Sequence, residues 1–182
     1  KQKTAYEIVD CDWSSDVCSS DLASGTGTIK DDGSSANTFA ANATSGTPTT
    51  GTANDDRPTV SVNNVTVSES SPYAVFTVSL SNASTSAISF TPSLSNGTAT
   101  VGTDTGGSAA LEYYNGSNWV SASSGVTIAA GSTSVLVRTA ITNDSVYEGS
   151  ETFSLSTGTI TGTVTNSGAA SGTGTIKDDG SS

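Results

Sequence analysis

Beyond Arg57, apolar residues recur at every second position in short runs. In Tyr73–Leu80 (YAVFTVSL), Ala74, Phe76, Val78 and Leu80 share one face, while Val75, Thr77 and Ser79 share the other. Ala87–Leu94 repeats the pattern with Ile88, Phe90 and Leu94. Successive side chains of an extended chain point to opposite faces, so this period marks a half-buried strand. The same reading predicts strands at Thr59–Ser68, Ala109–Tyr114, Trp119–Ala122, Val126–Ala129, Ser134–Ile141, Glu151–Ser156 and Gly172–Lys177. Asn96-Gly97, Asn115-Gly116 and Ala130-Gly131 separate them as turns. No stretch carries the helical period.

Many short strands at regular spacing predict an all-β fold, an antiparallel Greek-key β-sandwich of immunoglobulin-like type, over residues 57–180. Two other segments stand apart from it. Residues 1–22 (KQKTAYEIVDCDWSSDVCSSDL) hold both cysteines, and no apolar stretch of signal-peptide length. They resemble a translated sequencing adapter, KQKTAYEI at the flow-cell end and DWSSDVCSSDL at the read-primer end, and are set aside as non-native. Residues 34–56 have almost no apolar residues and no period, the composition of a flexible linker.

The sequence also repeats itself. Ala23–Ser35 and Ala170–Ser182 both read ASGTGTIKDDGSS, identical at all 13 positions and 147 residues apart. Such self-similarity marks a tandem array. Residues 23–33 are then expected to be the last strand of a preceding copy, and 181–182 the start of the next linker. With no initiating methionine, the chain is expected to be a fragment of something longer.

Composition narrows the chemistry. There is no histidine, which removes imidazole bases and histidine-bearing zinc sites, and two cysteines cannot complete a four-thiolate site. Six cations against 17 acids provide no basic patch for nucleic acid, and no apolar run is long enough for membrane insertion. Serine and threonine make up about a third of the chain, so the core is thin. Without residues 1–22 there is no cysteine, and reinforcement must come from a bound metal or from stacked neighbours.

Strand parity shows where the acids fall. If strands alternate in direction and Thr59–Ser68 runs upward, Glu69, Asp104, Asp144, Glu148, Asp178 and Asp179 all reach the upper rim, with Glu151 beside them. Carboxylates crowded in this way repel by several kcal/mol at an effective dielectric of about 20. Two readings are open at this point. A hard divalent cation such as calcium relieves the repulsion, or the acids simply collect in solvated loops.

Together these segments resemble a Calx-beta domain, the module named for the calcium-sensing region of sodium/calcium exchangers and abundant in large bacterial surface proteins. The motifs are RPTVSV with SES, AVFTVSLSNAS, NGTATVGTD, TIAAGSTSVLVR, NDSVYEGSETFSL and GTGTIKDDG. The resemblance implies Ca2+ held at the sandwich end by Glu69, Asp104, Asp144, Asp178 and Asp179, with Glu148 and Glu151 as further nominees of lesser weight. The chain departs from the family at Gly102-Thr103-Asp104-Thr105, at Asn143-Asp144-Ser145 and at Asp178-Asp179-Gly180, each with fewer acids or a missing tyrosine. Fewer carboxylates imply one or two sites of about 10⁻⁴–10⁻³ M affinity.

The expected role is a non-enzymatic calcium-binding repeat of a large secreted or cell-surface protein, extracellular and on a bacterial surface. Its partners would be neighbouring repeats of the same chain, with a surface or carbohydrate ligand met through other domains. The alternatives are a calcium-independent spacer and the calcium-sensing domain of a membrane transporter. Three smaller expectations complete the reading. Tyr113, Tyr114 and Trp119 close the end of the core, Thr157–Thr165 forms a solvent-facing strand, and Arg138 pairs outward with an acid.

Overall fold

The computed structural model describes residues 56–178. Eleven strands make up nearly all of its regular structure, with one short 3-10 turn at Ser108–Ala110. A five-stranded sheet runs in the order β1 (Val60–Val62), β3 (Tyr73–Leu80), β9 (Ser134–Ala140), β6 (Glu112–Tyr114), β7 (Trp119–Ser121). A four-stranded sheet runs β2 (Val65–Ser68), β11 (Ser171–Lys177), β10 (Ser150–Ser156), β5 (Ser93–Asn96). A short pair joins β4 (Ile88–Phe90) to β8 (Val126–Ile128). The expected residues 1–22, 23–33, 34–55 and 179–182 lie outside the described range.

The core is the set of residues that the alternation selects. Phe76 and Val78 of β3, Val135 and Val137 of β9, and Phe153 and Leu155 of β10 are buried between the sheets. Phe76 and Phe153 meet edge to face across the sandwich at 5.8 Å, a preferred aromatic arrangement. Val75 and Tyr73, of opposite parity, remain exposed.

Three expected elements take a different form. Thr59–Ser68 is two strands, because β1 pairs with β3 in one sheet while β2 pairs with β11 in the other. The crossing lies at Asn63-Asn64, where the Asn63 Oδ1 accepts from Thr77 N–H and the Asn64 Oδ1 accepts from Thr173 N–H. These side chains supply hydrogen bonds to both sheets where the ladder breaks. As a result the β2–β11 pair is parallel, within an otherwise antiparallel set. Ala87–Leu94 likewise divides, β4 pairing with β8 and β5 with β10. Pro92 stands at the division and has no N–H to give a ladder.

Thr157–Thr165 is not a solvent-facing strand. It is irregular apart from the Ser89–Thr161 bridge, and it buries Thr157, Ile160 and Val164 against the core. Positive φ at Gly158 and Gly162 turns the chain in a way that a threonine-rich strand could not follow.

Candidate metal centre

Strands β2, β5 and β11 run one way and β10 the other, and β9 runs antiparallel to β3 as β1 does, so the ends of β2, β5, β9 and β11 and the start of β10 share one pole. Parity then aims side chains inward at that pole. Val65 and Val67 of β2 continue to Glu69, Gly174 and Ile176 of β11 continue to Asp178, and Leu155 and Phe153 of β10 lead back to Glu151. Each of the three sequences therefore replaces its next inward apolar residue by an acid where the core opens. Glu69 is 7 % exposed, the one acid in the buried class among the described residues.

Two of these acids hold the loop between β9 and β10. Glu69 Oε1 accepts the N–H of Asp144 at 2.9 Å, and Asp178 Oδ2 accepts the N–H of Glu148 at 3.0 Å. Asp144 closes its own turn, its Oδ1 accepting Val146 N–H at 2.7 Å. Asp178 N–H donates to the carbonyl of Gly149. Asp104 is fixed from the opposite side, with its Oδ2 accepting Thr100 N–H at 2.6 Å and its carbonyl accepting Thr142 N–H at 2.9 Å. Carboxylates that accept backbone N–H groups hold loops in one conformation while keeping a second oxygen for another partner.

The centre of the arrangement is a triad. Asp104, Glu148 and Glu151 each offer a carboxylate oxygen, and these oxygens lie within 4.8 Å of one another. Oxygens that share one calcium ion at 2.3–2.6 Å are separated by at most about 5 Å, so the spread fits a single ion. The donor set is oxygen only, which suits a hard cation and not a thiophilic one. The electrostatics agree with the geometry. The Glu148 carboxyl is pushed above the ordinary value by loss of solvation, then by the charges of Asp104, Asp144, Glu69 and Asp178. Glu151 is raised by burial first, then by Asp104 and Glu148, and its hydrogen bond to Asp104 further favours the protonated form.

Of the acids read from the sequence, Glu69, Asp104, Asp144, Glu148 and Asp178 are brought to this pole, and Asp179 lies outside the described residues. The family resemblance gave Glu148 and Glu151 a lesser place than they hold in the triad, and Glu151 was the one left off the list of expected ligands. The signal was its parity with Phe153 and Leu155, which fixes its face. Glu69 and Asp178 were read as ligands alongside the rest, whereas one oxygen of each is engaged in holding the loop.

The aromatic residues have separate places. Tyr113 packs against the core, while Tyr114 and Trp119 lie on the outer face of the five-stranded sheet, their rings 5.5 Å apart. Arg138, on the same face, stacks over Tyr73 at 3.8 Å and Trp119 at 4.2 Å and pairs with Glu112 at 2.7 Å. The expectation that all three aromatics close the end of the core therefore holds for Tyr113 alone.

Comparison of the sequence with protein families and with curated proteins finds no match. Solved structures do match. The crystal structure of CBD12 from CALX1.2 superposes with a TM-score of 0.51 at 20% identity, covering 66% of this chain and 45% of that one. The calcium binding domain CBD12 of CALX1.1 superposes with a TM-score of 0.50 at 20% identity, covering 65% and 44%. The fold is that of a Calx-beta domain. This chain spans less than half the length of those two chains. The Calx-beta fold accounts for the shared pole, since its strand order returns β2, β10 and β11 side by side with their acid-bearing ends together.

Proposed function

We propose that this Calx-beta module binds calcium at the acidic pole and uses the ion to stiffen itself within a tandem array at a bacterial cell surface. The observation that carries the reading is the triad of Asp104, Glu148 and Glu151, whose oxygens fall within 4.8 Å. Bound there, calcium would supply positive charge where Asp104, Asp144, Glu69 and Asp178 raise the Glu148 carboxyl and Asp104 and Glu148 raise that of Glu151. The chain's own part is to hold the loop of residues 143–149. Glu69 and Asp178 grip its backbone from β2 and β11, so charge neutralisation at Glu148 is transmitted to two strands of the four-stranded sheet. The 13-residue copy at Ala23–Ser35 favours an array over a lone domain.

A second reading has its own support. The structural neighbours include a calcium binding domain of CALX1.1, and the sequence motifs resemble the calcium-sensing region of sodium/calcium exchangers. Both readings place calcium at the triad. Isothermal titration of the chain with calcium, and with magnesium as control, tests the shared step: saturable calcium binding that Asp104→Asn with Glu151→Gln removes supports it. An unchanged isotherm in that variant sinks it.

A further inference from the structure

The outer strand of any open sheet presents main-chain groups that need a partner. In the five-stranded sheet the outer strands are β1 and β7, and in the four-stranded sheet β2 and β5. The chain guards three of these edges itself. On β1 the Asn166 side chain imitates a missing strand, its Oδ1 accepting Val60 N–H at 2.8 Å and its Nδ2 donating to the Val60 carbonyl at 2.9 Å. On β5 the Ser108 hydroxyl accepts Leu94 N–H at 2.8 Å. On β2 the Ser68 carbonyl accepts Ser71 N–H, and its hydroxyl accepts Ser70 N–H. The edge of β7 differs. Asn115 N–H donates to the Asn118 carbonyl and Ala122 N–H to that of Leu111, so Tyr113 and Val120 form the hydrogen-bonded pair between them. The N–H and C=O groups of Trp119 and Ser121 therefore point away from β6. Among the described residues nothing closes them as Asn166 closes β1. Trp119-Val120-Ser121 also contains no charge and no proline, the usual guards of an edge.

We propose that β7 is the contact edge of a two-fold dimer, in which it pairs antiparallel with β7 of a second copy of the chain. The open groups are self-complementary. A two-fold axis at Val120 sets Trp119 of each copy opposite Ser121 of the other, and about four main-chain hydrogen bonds join the two five-stranded sheets into one. Ser121 is small and exposed, which leaves room for the indole across the seam. Charge favours a second copy over a charged partner. The one acid beside this edge, Glu112, is already paired with Arg138 at 2.7 Å, so neither sign is left to attract a basic or acidic peptide. Strand β9 ends at the acidic pole, β6 runs back from it and β7 runs towards it. Antiparallel pairing therefore points the two acidic poles in opposite directions and keeps their charges apart. A contact of this size belongs to the weak, transient class, and copies linked in an array would multiply it. No calcium takes part in it.

The test uses the full 182-residue chain. Sedimentation velocity from about 10 µM to about 1 mM should show monomer passing to dimer, alike in chelator and in calcium. S121P removes one outward N–H and no bond of the β6–β7 ladder, so it should abolish the dimer while the thermal melt by circular dichroism stays cooperative. Location is read independently by V120C in a C11S, C18S background. Across the axis Val120 faces its own counterpart as a non-hydrogen-bonded pair, with Cα atoms about 4.5 Å apart, within the reach of a disulfide. Under mild oxidation V120C should therefore cross-link into dimers, and S95C, exposed on the guarded β5 edge, should not. If S121P fails to fold, the V120C comparison decides. A chain that stays monomeric over the whole range overturns the proposal, as does V120C cross-linking no faster than S95C. Dimers that form only with calcium place the contact at the acidic pole and overturn it equally. A monomer that still binds calcium sinks this proposal and leaves the calcium reading standing.

Discussion

Two places in this module handle negative charge, and they do so in opposite ways. On the outer face of the five-stranded sheet, Glu112 faces Arg138 across the β6–β9 ladder, and the guanidinium is held between Tyr73 and Trp119. The charge is met by a fixed cation within the same sheet. At the pole, Glu148 and Glu151 are met by Asp104, Asp144, Glu69 and each other. A surface pair of the first kind is complete without any ligand and contributes modestly to stability. An acid group of the second kind raises the energy of the folded chain until protons or a cation arrive, so its stability is conditional on solution composition. The difference separates the part of the fold that is only structure from the part that can respond.

The largest test of this contrast is calcium itself. At 10 mM calcium and the affinity expected for a site with few carboxylates, linkage stabilises the folded state by roughly 1.4–2.7 kcal/mol, equivalent to a rise in Tm of about 5–12 °C over the chelator-treated protein. Differential scanning calorimetry reads it directly. Glu148→Gln with Glu151→Gln should abolish the rise and, in chelator, melt above the wild type because like charges have been removed. If wild type and variant melt together in both conditions, the pole is an ordinary solvated rim.

Next in size is Arg138→Ala, which removes the ion pair, both ring contacts and the packing of the aliphatic stem. Its cost is about 1–2 kcal/mol by urea unfolding, the same with calcium as with chelator. A calcium-dependent cost would mean that the two charge sites communicate through β9 and β3, and the contrast would need to be redrawn.

How much of this was legible in the sequence depends on which physical signal each residue carries. Phe76, Val78 and Val137 announce their face by strict alternation, because a sheet with one buried side leaves no other choice. The break between β1 and β2 is also written in the residues: the apolar series runs Val60, Val62 and then Val65, Val67, a change of phase at Asn63-Asn64. The break at Pro92 leaves Phe90 and Leu94 in phase, so only the missing N–H marks it. Thr157–Thr165 misleads because its threonines keep period 2 while its glycines turn the chain. At the pole, strand parity suffices to gather the acids. It cannot say that Glu69 and Asp178 spend an oxygen on the backbone of the Asp144–Glu148 loop, since that depends on where a loop folds back rather than on which strand end it leaves.

The response to pH should be smaller than that to calcium, and its sign follows from the raised carboxyls. Glu148 and Glu151 hold protons in the folded chain at pH values where the unfolded chain, near its ordinary value of 4.5, has released them. Over that window the folded state binds more protons, so stability falls as pH rises through the folded pKa values. In chelator, Tm should therefore climb as pH is lowered towards the ordinary carboxyl value, before general acid effects set in. Calcium competes with those protons, so its own stabilising effect should weaken over the same descent. The Glu148→Gln, Glu151→Gln variant should lose the slope.

The smallest expected effect sharpens the contrast most. Glu112→Gln keeps the size of the side chain and its place opposite Arg138, and removes only the charge. Because Arg138 remains stacked on Tyr73 and Trp119, the loss should be about 0.2–1 kcal/mol, and it should shrink further in 0.5 M salt. A double-mutant cycle with Arg138→Met isolates the ionic part. The matching substitution at the pole, Glu151→Gln, should act in the opposite direction in chelator, since there the same loss of charge relieves repulsion. One chemical change with two signs, read by the same urea titration, distinguishes an acid that already has its counter-ion from one that waits for it.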